Sequence, residues 1–333
     1  MKKVVVFGGG TGLSCLLSGL KLFPLDVTTV IAVSDNGSST GVLKEELDIP
    51  AVGDVGKVLL AMANVDDDFV NLLRYRFSKS GTTLYNHPVR NIMLAALIDL
   101  KGNLTEATKY MCGLLNIKGT VLPLTEEKVD LVGERIDTAA GEGEDAGEKH
   151  FSEGEVFYGE EEVSANIRYI KRLSYDHDIH VSDEIREKIL DADLIIFSPG
   201  SLYTSILPHL IAKDVTSALE ETKAPLMYIS NLVTQPGETD DYSVGDHIGV
   251  LNRYLVNRQI DAVVANNAEI DEAIIEKYLT TENKKIVPID RERLQSAGVE
   301  VIESNVFTIE EDKIRHDALR TAYLIFSYLM DRD

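Results

Sequence analysis

The chain has 333 residues, 44% apolar and 26% charged, a balance that excludes disordered and fibrous classes and suffices to bury a large core. Thirty-three basic residues against 55 acidic ones leave a net charge of −22, which argues against a nucleic-acid partner.

The first predicted element is a buried strand at 4–7, running into Gly8-Gly9-Gly10-Thr11-Gly12 and a helix over 13–22. Glycines let a backbone approach a ligand, and the first amides of a helix carry partial positive charge. Gly9, Gly10, Thr11 and Gly12 are therefore a candidate phosphate cradle. Leu13 stands where the third glycine of a dehydrogenase fingerprint would fall, so a dinucleotide oxidoreductase ranks low. Cys15, in this helix, and Cys112 have no ligand spacing and read as small buried hydrophobes of a reducing compartment.

A second strand at 29–33 opens into Ser34-Asp35-Asn36-Gly37-Ser38-Ser39-Thr40-Gly41. Asp35 reads as a contact to substrate or to a metal-bridged phosphate, with Asn36, Ser38, Ser39 and Thr40 beside it. An Asx turn is the purely structural alternative. Gly53-Asp54 reads as the cap of a helix over 55–62. A helix over 88–100 follows, with Met93, Ala96, Leu97 and Leu100 on its apolar face. His87 at its start is either a proton shuttle or phosphate contact, or a structural histidine; Asn91 adds an amide. Arg90 and Arg315 are candidate diphosphate clamps, weighed against ordinary surface pairing.

Residues 141–162 are rich in glutamate and glycine and predict a solvated excursion or hairpin tip without calcium-loop spacing. Strands at 194–197, 226–229 and 262–265 then alternate with helical patterns at 206–211, 215–219, 248–255 and 270–279. A closing helix over 317–330 takes Asp317 as its cap. This alternation predicts an α/β fold, a doubly wound and mostly parallel sheet in a Rossmann-like three-layer sandwich, with 1–333 as a single domain. Ligands of such sheets bind beyond the strand carboxyl ends. That rule gathers Pro199, Gly200, Ser201, Tyr203 and Asn231 with the glycine turn. No catalytic triad, metal-ligand cluster or P-loop lysine emerges. No stretch is long enough for a leader or a membrane span, so the expected setting is cytoplasmic, without membrane insertion.

Several of these segments together resemble the gluconeogenesis-factor family, within the 2-phospho-L-lactate transferase-like (CofD-like) superfamily. They are Phe7-Gly8-Gly9-Gly10-Thr11-Gly12, the 35–41 loop, Gly53-Asp54, His87 to Asn91 and the run 198–208. Thr234-Gln235-Pro236-Gly237-Glu238-Thr239 and Ile314-Arg315-His316-Asp317 complete the likeness. The resemblance implies a nucleotide-binding protein whose ligand is a UDP-sugar such as UDP-N-acetylglucosamine, bound without known turnover. It also implies a regulatory role in cell shape and wall-precursor supply on gluconeogenic carbon, exerted on a cytoplasmic enzyme of that synthesis. Tyr278 would stack on a ring and Arg315 would reach the diphosphate. The other branch implies a transferase, with Mg²⁺ and a nucleoside-diphosphate-activated donor, in which Asp35 is the candidate catalytic group. No cofactor is obligatory on the first reading, and a homodimer is the default assembly. The chain departs from the family pattern at Asn36, Val42, Gly56, Lys57 and Arg90, and Ala318 replaces a threonine found in some relatives.

Overall fold

The computed structural model describes residues 1–134, 156–310 and 313–332. Its centre is a sheet of seven parallel strands in the order β10-β9-β8-β7-β1-β2-β3. These are β1 (Lys2–Gly8), β2 (Leu25–Ile31), β3 (Thr120–Pro123), β7 (Leu194–Phe197), β8 (Leu226–Ile229), β9 (Ala262–Asn266) and β10 (Glu300–Ser304). A smaller antiparallel sheet holds β4 (Leu131–Glu134) between β5 (Val156–Tyr158) and β6 (Arg172–Tyr175). A hairpin pairs β11 (Phe307–Glu310) with β12 (Lys313–His316). β7, β8 and β1 carry unbroken apolar runs because both faces of a parallel sheet are covered.

Helices cover the two faces. In chain order they are α1 (Gly10–Leu20), α2 (Ser38–Leu47), α3 (Gly53–Met62), α4 (Asp67–Arg74), α5 (Val89–Lys101), α6 (Leu104–Leu114) and α7 (Glu160–Asn166). They continue with α8 (Asp183–Leu190), α9 (Leu207–Leu210), α10 (Lys213–Glu221), α11 (Val244–Leu255), α12 (Glu272–Glu282), α13 (Arg291–Ser296) and α14 (Ala318–Met330). The apolar core divides accordingly. One half packs α1, α3, α5, α6 and α14 against Val4, Val6 and Ile196; the other packs α8, α10 and α11 against Val5, Phe7 and Ile195. Alternate residues of β1 thus feed opposite layers, as a period of two requires.

The expected strands at 194–197 and 226–229 coincide with β7 and β8, and the expected cap of α14 is present, with Asp317 Oδ1 accepting from Arg320 N at 2.9 Å. Other boundaries move. α1 begins at Gly10 rather than at Leu13, and β2 ends at Ile31 rather than Val33. Asp54 is not a cap: α3 starts at Gly53, and Asp54 lies in its first turn paired with Lys57 Nζ at 2.8 Å. The 206–211 helix is a π turn over 202–206 continuing into α9.

Of the acidic excursion at 141–162, residues 141–155 lie outside the described residues. Its last part is not a solvated tip. Residues 156–158 form β5 and Glu160 opens α7, because Phe157 and Val163 are buried in the core. Asn36, on the loop after β2, lends its Oδ1 to Glu161 N at 3.3 Å and so serves an amide of the first turn of α7. A Cβ on Gly159 would come within 2.2 Å of the Asn36 side chain, which makes this contact close.

Candidate functional site

The strand order reverses direction at β1, with β2 on one side and β7 on the other. The loops leaving β1 and β7 therefore part there and leave a crevice, the usual ligand position in such sheets. Gly10 has φ +67°, and α1 has no side-chain cap at Gly9, so the amides of its first turn lie open. A Cβ on Gly12 would meet the Pro199 carbonyl at 2.1 Å, so only glycine lets the two loops touch.

The crevice is a hollow of about 280 Å³. Gly9, Gly10, Thr11 and Gly12 form one wall, and Pro199, Gly200 and Ser201 the next. Asn231, Leu232, Val233 and Gln235 follow from the loop after β8, and β12 closes the rim with Ile314, Arg315 and His316. Lys284 adds a second cation beside Arg315, although its Nζ is shared with Glu282 at 2.6 Å.

Asn231 holds this wall together. Its Oδ1 accepts from Gly200 N at 2.9 Å and its Nδ2 donates to Gly200 O at 2.8 Å. Both functions of the amide are thus spent on fixing the loop. Glu238 does the same for Ser201: its Oε1 accepts from Ser201 Oγ at 2.7 Å and from Tyr203 N at 3.0 Å. Burial pushes the Glu238 carboxyl upward, against these hydrogen bonds that favour its charged form. His316 donates from Nε2 to Ser230 O at 3.0 Å, and burial brings its pKa down to about 4, so it is neutral at pH 7. Cys15 also lines the hollow, half-buried rather than buried, with its Sγ donating to His316 O at 3.2 Å. Burial first, then Glu310, raises that thiol to about 11; Cys112, also half-buried, is raised to about 11 by burial.

Nine expected residues line the hollow: Gly9, Gly10, Thr11, Gly12, Pro199, Gly200, Ser201, Asn231 and Arg315. A second group stands beside it, not in it. Asp54 Oδ2 would lie 2.7 Å from a Cβ on Gly9, which places that carboxylate directly against the glycine turn. Asp35 accepts from Gly37 N at 2.8 Å, the Asx-turn arrangement, and burial followed by the Asp54 charge raises its pKa. Thr40 lies against Gly53. Ser39 Oγ is bonded to His87 Nδ1 at 2.8 Å and accepts from Asn91 Nδ2 at 3.3 Å, all three buried. Ser38 accepts from Asn86 Nδ2 at 3.0 Å. The bonds of Ser38 and Ser39 tie the first turn of α2 to the start of α5 and the residues just before it.

Two expected contacts fall elsewhere. Tyr203 turns away from the hollow, its hydroxyl 3.3 Å from that of Tyr242, in a separate cavity of about 580 Å³. Tyr278 is buried and its hydroxyl accepts from Ile314 N at 2.6 Å. Through that bond it braces β12 next to Arg315, and it is not among the residues that line the hollow.

Glu160, not singled out from sequence, joins Asp35 and Asp54. Burial, then those two charges, pushes it up to about 8, against a hydrogen bond to the Thr204 side chain. Among the described residues no three His, Cys, Asp or Glu groups are placed to hold a metal ion. Asp54 is engaged by Lys57, so these carboxylates do not by themselves make a closed cage for a cation; a Mg²⁺ here would share one or two of them with the phosphates of a bound ligand. No helix of the described residues is long and apolar enough to cross a membrane.

Residues 4–307 match the family model described as 2-phospho-L-lactate transferase CofD. The chain is 37% identical over 330 residues to the gluconeogenesis factor of Bacillus subtilis strain 168, covering 99% of this chain and 98% of that one. It is 37% identical over 331 residues to a protein of Thermotoga maritima named putative gluconeogenesis factor, covering 97% and 98%. A crystal structure of a Bacillus halodurans protein superposes with a TM-score of 0.88 at 34% identity, covering 98% of this chain and 99% of that chain.

Proposed function

We propose that this chain, which belongs to the 2-phospho-L-lactate transferase CofD family and resembles its gluconeogenesis factors along nearly its whole length, is a nucleotide-sugar-binding regulatory protein. The observation that carries this reading is the meeting of the open first turn of α1 with Arg315 across one hollow. Backbone amides and a guanidinium together satisfy a diphosphate, and Leu232, Val233 and Ile314 offer apolar surface to a ring. The ligand on this reading is a UDP-sugar such as UDP-N-acetylglucosamine. The regulated partner is a cytoplasmic enzyme of wall-precursor synthesis, which ties cell shape to gluconeogenic carbon.

Titration calorimetry of the purified chain with UDP-N-acetylglucosamine tests it. Saturable binding is expected, weakened tenfold or more by Arg315→Gln, since a hydrogen bond to a charged group contributes about 1.5–3 kcal/mol. No heat at millimolar ligand, meaning binding weaker than about −4 kcal/mol, removes the reading.

The facing carboxylates Asp35 and Asp54 favour a second reading, a transferase acting on an activated nucleoside diphosphate with Mg²⁺. It requires magnesium-dependent consumption of such a donor that Asp35→Ala abolishes. Turnover indifferent to that substitution counts against it.

A further inference from the structure

Arg90 is a buried charge without an ion pair among the described residues. Its residue is only 7% exposed, and its Nε is buried with no hydrogen-bond partner. The stem and Nε lie along α3 at Gly56, where a Cβ would come within 3.0 Å of Arg90 Cδ and 3.2 Å of Nε. Glycine at 56 makes the slot in which this guanidinium is held. Asp54, two residues along α3, is already paired with Lys57, and no described carboxylate pairs with Arg90.

Two more arginines converge on it. An antiparallel bridge joins Arg76 to Pro88, and Val89 N donates to Tyr75 O at 3.0 Å, which draws the end of α4 against the start of α5. That register sets Arg74 and Arg76 beside Arg90. Arg74 and Arg76 are exposed, and neither has an ion pair with a described residue; Arg76 spends one nitrogen on Asn86 O at 2.7 Å. Burial, then repulsion from Arg76 and Arg74, brings Arg90 down to about 10 against a smaller attraction to Asp54, which still leaves it charged at neutral pH. A buried cation held next to two others is unfavourable unless an anion shares the site. In a chain of net charge −22 this concentration of unpaired guanidinium is a local exception.

We propose that Arg74, Arg76 and Arg90 form a second anion subsite, distinct from the glycine hollow, that takes the phosphate group of a small molecule. Planar guanidinium forks suit phosphate oxygens, and the buried Arg90 supplies a fixed floor between two exposed partners. The subsite is independent of the nucleotide-sugar reading. Its occupant is either free phosphate or a phosphate monoester.

The test is calorimetric titration of the full chain carrying Arg315→Glu, which places a negative charge in the glycine hollow and disfavours phosphate there. Inorganic phosphate and glycerol 3-phosphate are titrated separately at constant ionic strength. Saturable binding is expected, weakened at least tenfold by Arg90→Met and by the paired exposed change Arg74→Gln with Arg76→Gln. Tighter binding of glycerol 3-phosphate assigns the site to phosphate monoesters, and equal or tighter binding of inorganic phosphate assigns it to the free ion. If Arg90→Met fails to fold, the exposed pair alone decides. In the Arg315-intact chain, the exposed pair should leave UDP-N-acetylglucosamine affinity within twofold of the parent, which separates this subsite from the first. No saturation up to tens of millimolar of either probe, or affinities unchanged by the arginine substitutions, overturns the proposal.

Discussion

Tyr278 and Glu160 show how burial redirects residues whose type suggests chemistry. The Tyr278 ring is expected to stack on a ligand, yet its hydroxyl holds the Ile314 amide. Tyr278→Phe leaves that buried N–H without its acceptor, so stability should fall by about 1–3 kcal/mol in chemical denaturation. A stacking tyrosine would tolerate the same change. Glu160 titrates near 8 in the folded chain, above its ordinary carboxyl value. The folded state then binds more protons than the unfolded state between the two values. Stability from this group is full in acid and is lost as pH rises toward 8. Glu160→Gln should flatten that decline, measured by melting temperature across pH 5 to 9. An unchanged slope would place the decline elsewhere. Neither role was legible in the sequence, because a glutamate inside an acidic run and a tyrosine in a helix give no sign of what packs against them.

At the scale of elements, the parallel strands were legible because burial on both faces demands unbroken apolar runs, as in Leu194 to Phe197. β3 and β10 were not: both are edge strands, and β10 has the exposure of a half-covered one. The glycine turn, the loop after β7 and Asn231 were rightly expected to meet at one rim. Ser39 was expected with them and instead anchors the first turn of α2 to His87. Composition marks a loop as polar but does not tell a ligand contact from a tie to the next helix. Contact between α1 and the loop after β7 depends on Gly12 having no side chain. Gly12→Ala should push Pro199 and Gly200 outward, weaken nucleotide-sugar binding at least tenfold and, because the clash is with backbone, lower the melting temperature as well. Calorimetry beside thermal unfolding reads both.

For the whole molecule, the large negative charge and the anion-accepting hollow oppose each other over different distances. Net charge acts at long range and is screened beyond about 8 Å at physiological salt, whereas helix amides and Arg315 act in contact. Association of a UDP-sugar should therefore quicken as salt rises from low to physiological concentration, measured by stopped-flow. A rate that falls with salt would mean that steering by local positive charge dominates.

The hydrogen bond from Asn36 to the first turn of α7 couples two segments far apart in the chain. Asn36 adjoins Asp35, and Glu160 begins α7 immediately after the turn at Gly159. The Asn36 bond thus helps to set how close Glu160 lies to Asp35 and Asp54, whose charges push its carboxyl upward. Asn36 is one tie between a loop at the sheet edge and a helix more than a hundred residues later, so a change of its side chain would be felt at the carboxylates as well as at α7.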